Sequence, residues 1–320
     1  MDYKNLGRTG LKVSELCMGS MNFGWTAPRE NAVPVFDAFV EAGGNFIDTA
    51  NVYSRWAPNG YAGLAEELIG LWLKTKPRDQ IILATKVRGK MGDGPNDQGL
   101  SRKHIIDACE ASLRRLQTDY IDLYQTHFWD EHTPLDETLH ALDDLVRSGK
   151  VRYIGASNLP AWHLMESLWI SDRQNLTRYD TLQPHYNLIE RAEFERELQT
   201  VCLKYGLGVI PYSPIAGGML SGKYRRGTVA TEGTRGWNLR HAFTERNFQI
   251  IDKLDEVAQA QSKTVLQVAL AWVMLQPAIT SAIIGANTIE QWTELAGAIG
   301  LKLSEDELKQ LNEVSKWEEG

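Results

Sequence analysis

Cysteine is scarce in this chain. Its three residues, Cys17, Cys109 and Cys202, lie far apart and show no C-x-x-C spacing, which speaks against a disulfide framework or a zinc knuckle. Long apolar runs are also missing, and none approaches the roughly 18 residues of a membrane span. The opening MDYKNLGRTGLKVSELCMG carries charges throughout and lacks the apolar centre of a signal peptide. Positive charge is not in excess: 34 Lys+Arg against 41 Asp+Glu leave −7, which argues against a nucleic-acid backbone as partner. No Gly/Pro/Ser linker divides the 320 residues. No G-x-G-x-x-G turn follows the first apolar run, as a doubly wound dinucleotide fold would require. The H-E-x-x-H pattern is absent as well. His127 with Glu131 and His132 does not replace it, so no metal is expected. These absences leave a soluble, cytoplasmic chain, expected to form one domain over 1–320 with neither membrane nor nucleic acid as partner.

What is present is repetition. Eight short, nearly continuous apolar runs recur: Leu16 to Ser20, Asn45 to Ala50, Ile81 to Lys86, Ile121 to His127, Val151 to Asn158, Thr181 to Asn187, Gly208 to Pro214 and Ser281 to Ala286. Such runs suit parallel strands buried on both faces. Most start about 30 residues apart, the length of a strand, a helix and two loops. Helix signals fill the gaps. Ser101 precedes the stripe Ile105, Cys109, Leu113 and Leu116. Thr133 before Pro134 reads as an N-cap, and Thr288-x-x-Gln291 and Ser304-x-x-Glu307 read as capping boxes. Eight alternations without a linker predict an α/β fold of the (β/α)8 TIM-barrel type, because closing the sheet removes its edges. Tyr3 to Gly7 and Leu11 to Val13 predict an N-terminal hairpin able to plug the barrel. The long stretch after the seventh strand holds a Gly/Arg/Thr-rich segment, Gly217 to Gly236, and reads as a binding loop. Helical patterns follow at Phe243 to Gln261 and Thr264 to Leu275, and Ser304 to Trp317 predicts an extra C-terminal helix.

In a barrel, residues at the C-terminal ends of strands converge on one face. Asp48 ends NFID with Tyr53 in the loop beyond, Lys86 ends IILATK, and His127 ends DLYQTH. Each has a plainer reading: Asp48 as a loop or capping carboxylate, Lys86 as a snorkelling surface lysine, Tyr53 as packing, His127 as a structural histidine. Their shared placement on one face distinguishes them.

These segments carry a resemblance. LGRTGLKVSELCMGSMNFG, AGGNFIDTANVYS, LATKV, DYIDLYQTH, GKVRYIGASN, LQPHYN, PYSPIAGGMLSGKY and SAIIGANTIEQ resemble the aldo-keto reductases along nearly the whole chain. The resemblance implies reduction of an aldehyde or ketone by hydride transfer from NAD(P)H, with a catalytic tetrad of Asp48, Tyr53, Lys86 and His127. Tyr53 would be the general acid. Lys86 would lower its pKa, Asp48 would hold Lys86, and His127 would orient the carbonyl oxygen. The family pattern gives the nicotinamide carboxamide to Ser157, Asn158 and Gln183, the ring to Tyr212, and the pyrophosphate to Ser213, Pro214, Ile215 and Gly217, with Lys223 adding charge. Ser20, Met21, Asp48, Gly285, Asn287 and Gln291 complete the cofactor contacts. The GANTIEQ segment carries no Lys or Arg for the 2′-phosphate of NADPH, and Leu295 stands where relatives often have an asparagine. Arg235 resembles an arginine used for that phosphate, and NADPH is therefore expected over NADH. Trp25, Trp56, Tyr61, Trp129 and Trp237 predict an aromatic rim suited to ring-shaped or hydrophobic carbonyl compounds. The chain also resembles potassium-channel β subunits, so the alternative is a cofactor-sensing regulatory subunit with little turnover. Substrate identity and oligomeric state are not encoded in these motifs.

Overall fold

The computed structural model describes residues 1–229, 231–232 and 238–317. Arg235 and Trp237 lie outside that range. Two short strands, β1 (Tyr3–Asn5) and β2 (Lys12–Ser14), pair antiparallel with Tyr3 opposite Ser14. Eight parallel strands follow: β3 (Leu16–Gly19), β4 (Phe46–Asp48), β5 (Ile82–Val87), β6 (Ile121–Thr126), β7 (Val151–Ser157), β8 (Tyr179–Gln183), β9 (Gly208–Val209) and β10 (Ala282–Ile284). Each overlaps one of the predicted apolar runs, although β5 extends past its run to Val87 and β8 begins before its run, at Tyr179. They lie in the order β10-β3-β4-β5-β6-β7-β8-β9. The ring closes where Thr280 N donates to Val209 O (2.8 Å) and Ile283 N donates to Pro211 O (2.9 Å). β9 is short although Ile210 N still donates to Leu182 O and Tyr212 N to Pro184 O, because Pro184, with no N–H, cannot return the bond to β9.

Helices α1 (Ala32–Glu41), α2 (Leu64–Leu73), α3 (Arg102–Leu116), α4 (Leu135–Arg147), α5 (Ala161–Gln174) and α6 (Gln199–Tyr205) occupy the first six connections. After the long loop come α7 (Glu245–Gln261) and α8 (Val265–Met274), then α9 (Ile289–Ala296) beyond β10, and the outer α10 (Glu305–Val314). Asn312 on α10 accepts from the Trp272 indole on α8 (3.0 Å), which pins the last helix to the outside. Ser101 caps α3, and Ser304 with Glu307 forms a full capping box. Two predicted caps differ. The Thr133 hydroxyl donates to Asp130 (2.8 Å) instead of capping, and α4 starts one residue after Pro134. Thr288 accepts from Gln291 N, but the Gln291 side chain reaches back to Asn287 N (2.8 Å), so the box is half formed.

The sheet separates two apolar layers. Strand residues facing outward, such as Ile47, Leu83, Tyr124, Ile154 and Leu182, pack with Phe36, Trp72, Ile105, Leu139 and Leu164 of the helices. Those facing inward, Cys17, Phe46, Ile82, Ala84, Leu123, Ile210 and Ile283, form a separate interior cluster closed by Leu6 and Val13 of the hairpin. The hairpin thus plugs the N-terminal end. Gly7 allows it to seat: φ is +59°, and a Cβ there would lie 2.4 Å from Gly208 N. All three cysteines are free and buried. Burial raises their thiols, to about 12 for Cys109 and Cys202 and well upward for Cys17.

Candidate active site

Strand alternation places the first functional side chain. Ile82 and Ala84 point into the barrel, so Lys86 does too, one step nearer the C-terminal end. Its ammonium is fully buried. It donates to Asp48 Oδ2, to Thr49 O (2.9 Å) and to the Tyr53 hydroxyl oxygen (3.0 Å), which uses all three N–H bonds. Asp48 Oδ1 accepts from Gln125 Nε2 (3.0 Å) and Gln183 Nε2 (2.9 Å). The buried ion pair is therefore hydrogen-bonded on every side, the condition under which such pairs are tolerated. Gly155 provides the room: a Cβ there would lie 2.1 Å from Thr181 Oγ1 and 3.3 Å from Gln125 Cγ.

Tyr53 comes back over this pair because the chain after β4 turns tightly, with Asn51 N donating to Lys86 O (3.2 Å) and Tyr53 N to Ala50 O (3.2 Å). Burial works to strip Lys86 of its proton, but Asp48 and Tyr53 together raise its pKa above the ordinary value. Burial is the largest influence on the Tyr53 phenol and raises its pKa, while Lys86 opposes this only in part. Lys86 acts in the expected direction, but the net shift corrects the expectation of a lowered pKa: in this structure desolvation is the larger influence and Tyr53 stays protonated. Since Lys86 donates to the phenol oxygen, the phenol's own hydrogen is not used in that bond. The His127 ring stands edge-on to Tyr53 at 5.8 Å and stacks on Phe128 at 4.9 Å. Burial, then Lys86 and Arg88, lower its pKa to about 3, so the imidazole is neutral.

A cleft of about 700 Å³ opens above these groups, with Asp48, Tyr53 and His127 on its wall and Lys86 behind them. On one side Ser157, Asn158 and Gln183 line it at the ends of β7 and β8. They are mutually fixed: Ser157 Oγ donates to Gln183 O (2.9 Å), Asn158 Nδ2 donates to His127 O and Ser157 Oγ (both 3.0 Å), and Tyr212 OH donates to Asn158 Oδ1 (2.9 Å). The Tyr212 ring is covered on one face by His185, 5.0 Å away and nearly parallel. Ser213, Pro214, Ile215, Gly217 and Lys223 line the next stretch. There the backbone is left-handed at Ser213, Ala216, Gly217, Gly218 and Gly222, a curl that suits anion-binding concavities. Gly285, Asn287 and Gln291 line the far end, beside the N-terminus of α9, and Met21 also borders the cleft. An amide-rich corner, a left-handed loop with a lysine and a helix N-terminus along one groove fit a dinucleotide. Ser20 is different: it is buried outside the cleft lining, and its hydroxyl has no partner.

The aromatic rim is smaller than expected. Trp56 lines the cleft and meets Trp25 edge-on at 5.8 Å. Trp129 packs instead with Trp162 and His163, and Tyr61 bonds Glu67. Sequence reading missed Gln125, Arg88 and Phe128. Strand alternation with Leu123 could have found Gln125; no local signal marked the other two. Among the described residues no group of three His, Cys, Asp or Glu could hold a metal ion, and no helix is long and apolar enough to cross a membrane.

A barrel carrying a buried lysine–carboxylate pair, a phenol and a neutral imidazole at its C-terminal mouth defines a class of oxidoreductase acting on carbonyl groups. A model of the aldo/keto reductase family matches residues 15–316, and the chain belongs to that family, whose members use NAD(P)H. The chain is similar to "Uncharacterized oxidoreductase YrpG" of Bacillus subtilis, 39% identical over 98% of this chain and 96% of the relative. It is 35% identical to "Versiconal hemiacetal acetate reductase" of Aspergillus parasiticus, over 98% of this chain and 96% of that one. It is also 34% identical to "Probable voltage-gated potassium channel subunit beta" of Oryza sativa subsp. japonica, over 92% and 90%.

Proposed function

We propose that the protein reduces an aldehyde or ketone to the alcohol with NADPH, Tyr53 being the general acid. The observation that carries this reading is the phenol oxygen held by a buried, charged Lys86, with its own proton left to give. A bound nicotinamide cofactor would supply the hydride for the carbonyl carbon. Tyr53 gives its O–H proton to the carbonyl oxygen, and the phenolate that remains is stabilised by Lys86, which Asp48 keeps in place. His127 is neutral and donates an N–H to the same oxygen, fixing its orientation. Ser157, Asn158 and Gln183 would orient the carboxamide; Gln183, whose amide nitrogen is bound to Asp48, has its carbonyl oxygen to offer. Tyr212 would pack on the ring, and Ser213 to Gly217 with Lys223, which line the same cleft, would hold the phosphates. The preference for NADPH rests on Arg235.

Tyr53→Phe should lower kcat by about 10²–10⁴-fold, the usual contribution of a general acid. Its cofactor affinity, measured by fluorescence titration with NADPH and NADH in parallel, should stay within about twofold of wild type. Unchanged turnover would remove Tyr53 from the role, and a tighter NADH complex would reverse the cofactor order. A regulatory subunit with little turnover is the second reading, favoured by the channel-subunit relatives. Absence of any turnover with 4-nitrobenzaldehyde, with NADPH still bound, would select it.

A further inference from the structure

We propose that Arg88 makes the substrate end of the cleft a receptor for a carboxylate, so that the preferred substrates are carbonyl compounds carrying a carboxylate away from the reacting carbon. This deepens the reading of the site as a carbonyl reductase and rests on it.

The first observation is the backbone. Arg88 has φ +114°, and no other described non-glycine residue with positive φ exceeds the +70° of Ser54. A bulky residue so far outside the left-handed region is strained, and strain of this kind concentrates at ligand sites. The conformation is fixed by Gly99 N, which donates to Arg88 O (3.0 Å). It carries the side chain over the cleft, which Arg88 lines.

The second is the state of the guanidinium. Its Nε donates to Trp129 O (3.2 Å), which aims the fork, and the charge sits 5.9 Å from the Phe128 ring. Among the described residues it forms no ion pair, whereas Arg78, Arg102, Arg115 and Arg191, for example, each face a carboxylate. Asp130 is near enough to feel its charge, but that carboxylate already accepts from Leu100 N, His132 N and the Thr133 hydroxyl. Lys90, two residues on, pairs with Asp93. A planar donor fork without an acid partner, held by its inner nitrogen, suits bidentate recognition of a carboxylate.

The third is position. Arg88 reaches Phe128, Phe128 stacks on His127 at 4.9 Å, and His127 meets Tyr53 at 5.8 Å, all on the cleft wall. The free charge is thus separated from the proton donor by a row of rings, room for an aromatic or similarly flat spacer. The other cation on the lining, Lys223, lies on the loop after β9.

The test compares 4-carboxybenzaldehyde with its methyl ester, using NADPH, for wild type, Arg88→Gln, Arg88→Lys and Arg88→Gly. The glycine variant relieves the positive φ and so guards against misfolding. Wild type should favour the acid, and Arg88→Gln and Arg88→Gly should lower the acid-to-ester ratio of kcat/KM tenfold or more, mostly through KM for the acid. Arg88→Lys should recover part of the ratio. Calorimetric titration with terephthalate in the presence of NADP⁺ reads the same site without turnover, and Arg88→Gln should bind it at least tenfold more weakly. Arg88-dependent terephthalate binding in a protein that reduces neither aldehyde would overturn the reductase reading and leave the receptor standing. An unchanged ratio, or terephthalate bound equally by wild type and Arg88→Gln, would overturn the role of Arg88.

Discussion

Along β5, Ile82 and Ala84 face the plugged end of the barrel and Lys86 faces the open one. β4 makes the same change between Phe46 and Asp48, and β6 between Leu123 and Gln125. One step of strand alternation separates an interior held by apolar contact from one held by directed hydrogen bonds. The plugged end asks little of its residues beyond volume, since burial is non-directional. The open end asks for particular atoms, since a buried charge that loses its partner is strongly destabilising. Stability and chemistry are thus stacked along the same strands rather than divided between separate parts of the chain.

Three experiments probe that contrast. Lys86→Met should have the largest effect: it leaves Asp48 charged and buried, destabilising by about 3–5 kcal/mol in denaturant melts and removing most turnover. Adding Asp48→Asn should restore much of the stability and none of the turnover; restored turnover would show that the ion pair is structural only. Leu6→Ala at the plug should cost about 2–5 kcal/mol while kcat with a neutral aldehyde stays within about twofold, and a large fall in kcat would show that the two ends are coupled. The most gradual effect, small at each step of pH, is the response of His127. Its imidazole is neutral in the fold down to about pH 3 but takes a proton near 6.5 when unfolded. The unfolded chain then binds the extra proton, so stability is lost as pH falls from 6.5 toward 3, by up to about 1.4 kcal/mol per unit. His127→Gln should flatten that slope relative to wild type in melts between pH 4 and 7; parallel slopes would mean His127 is protonated in the fold.

The barrel was legible because its strands are apolar on both faces and recur at nearly even spacing, and the strand-end rule collected Asp48, Lys86 and His127 without any knowledge of contacts. Thr133 was misread because a short-range cap signal competed with Asp130, whose carboxylate already gathers Leu100 and His132 and takes the hydroxyl too. The direction of the Tyr53 shift was misread because sequence reveals the neighbouring charge but not the depth of burial, which here is the larger influence. Gln125 was hidden by its setting, a polar side chain in an apolar run whose partners come from two other strands. Arg88 was invisible because its placement depends on a φ value that arginine seldom adopts.

The buried cysteines acquire a meaning beside this chemistry. Aldehydes and their unsaturated relatives are electrophiles that thiolates attack, and an enzyme that gathers them concentrates the hazard in its own cleft. Here no sulfur of cysteine borders that cleft, and burial keeps each thiol in its unreactive protonated form. The same packing that fills the barrel therefore protects the protein from being alkylated by what it handles.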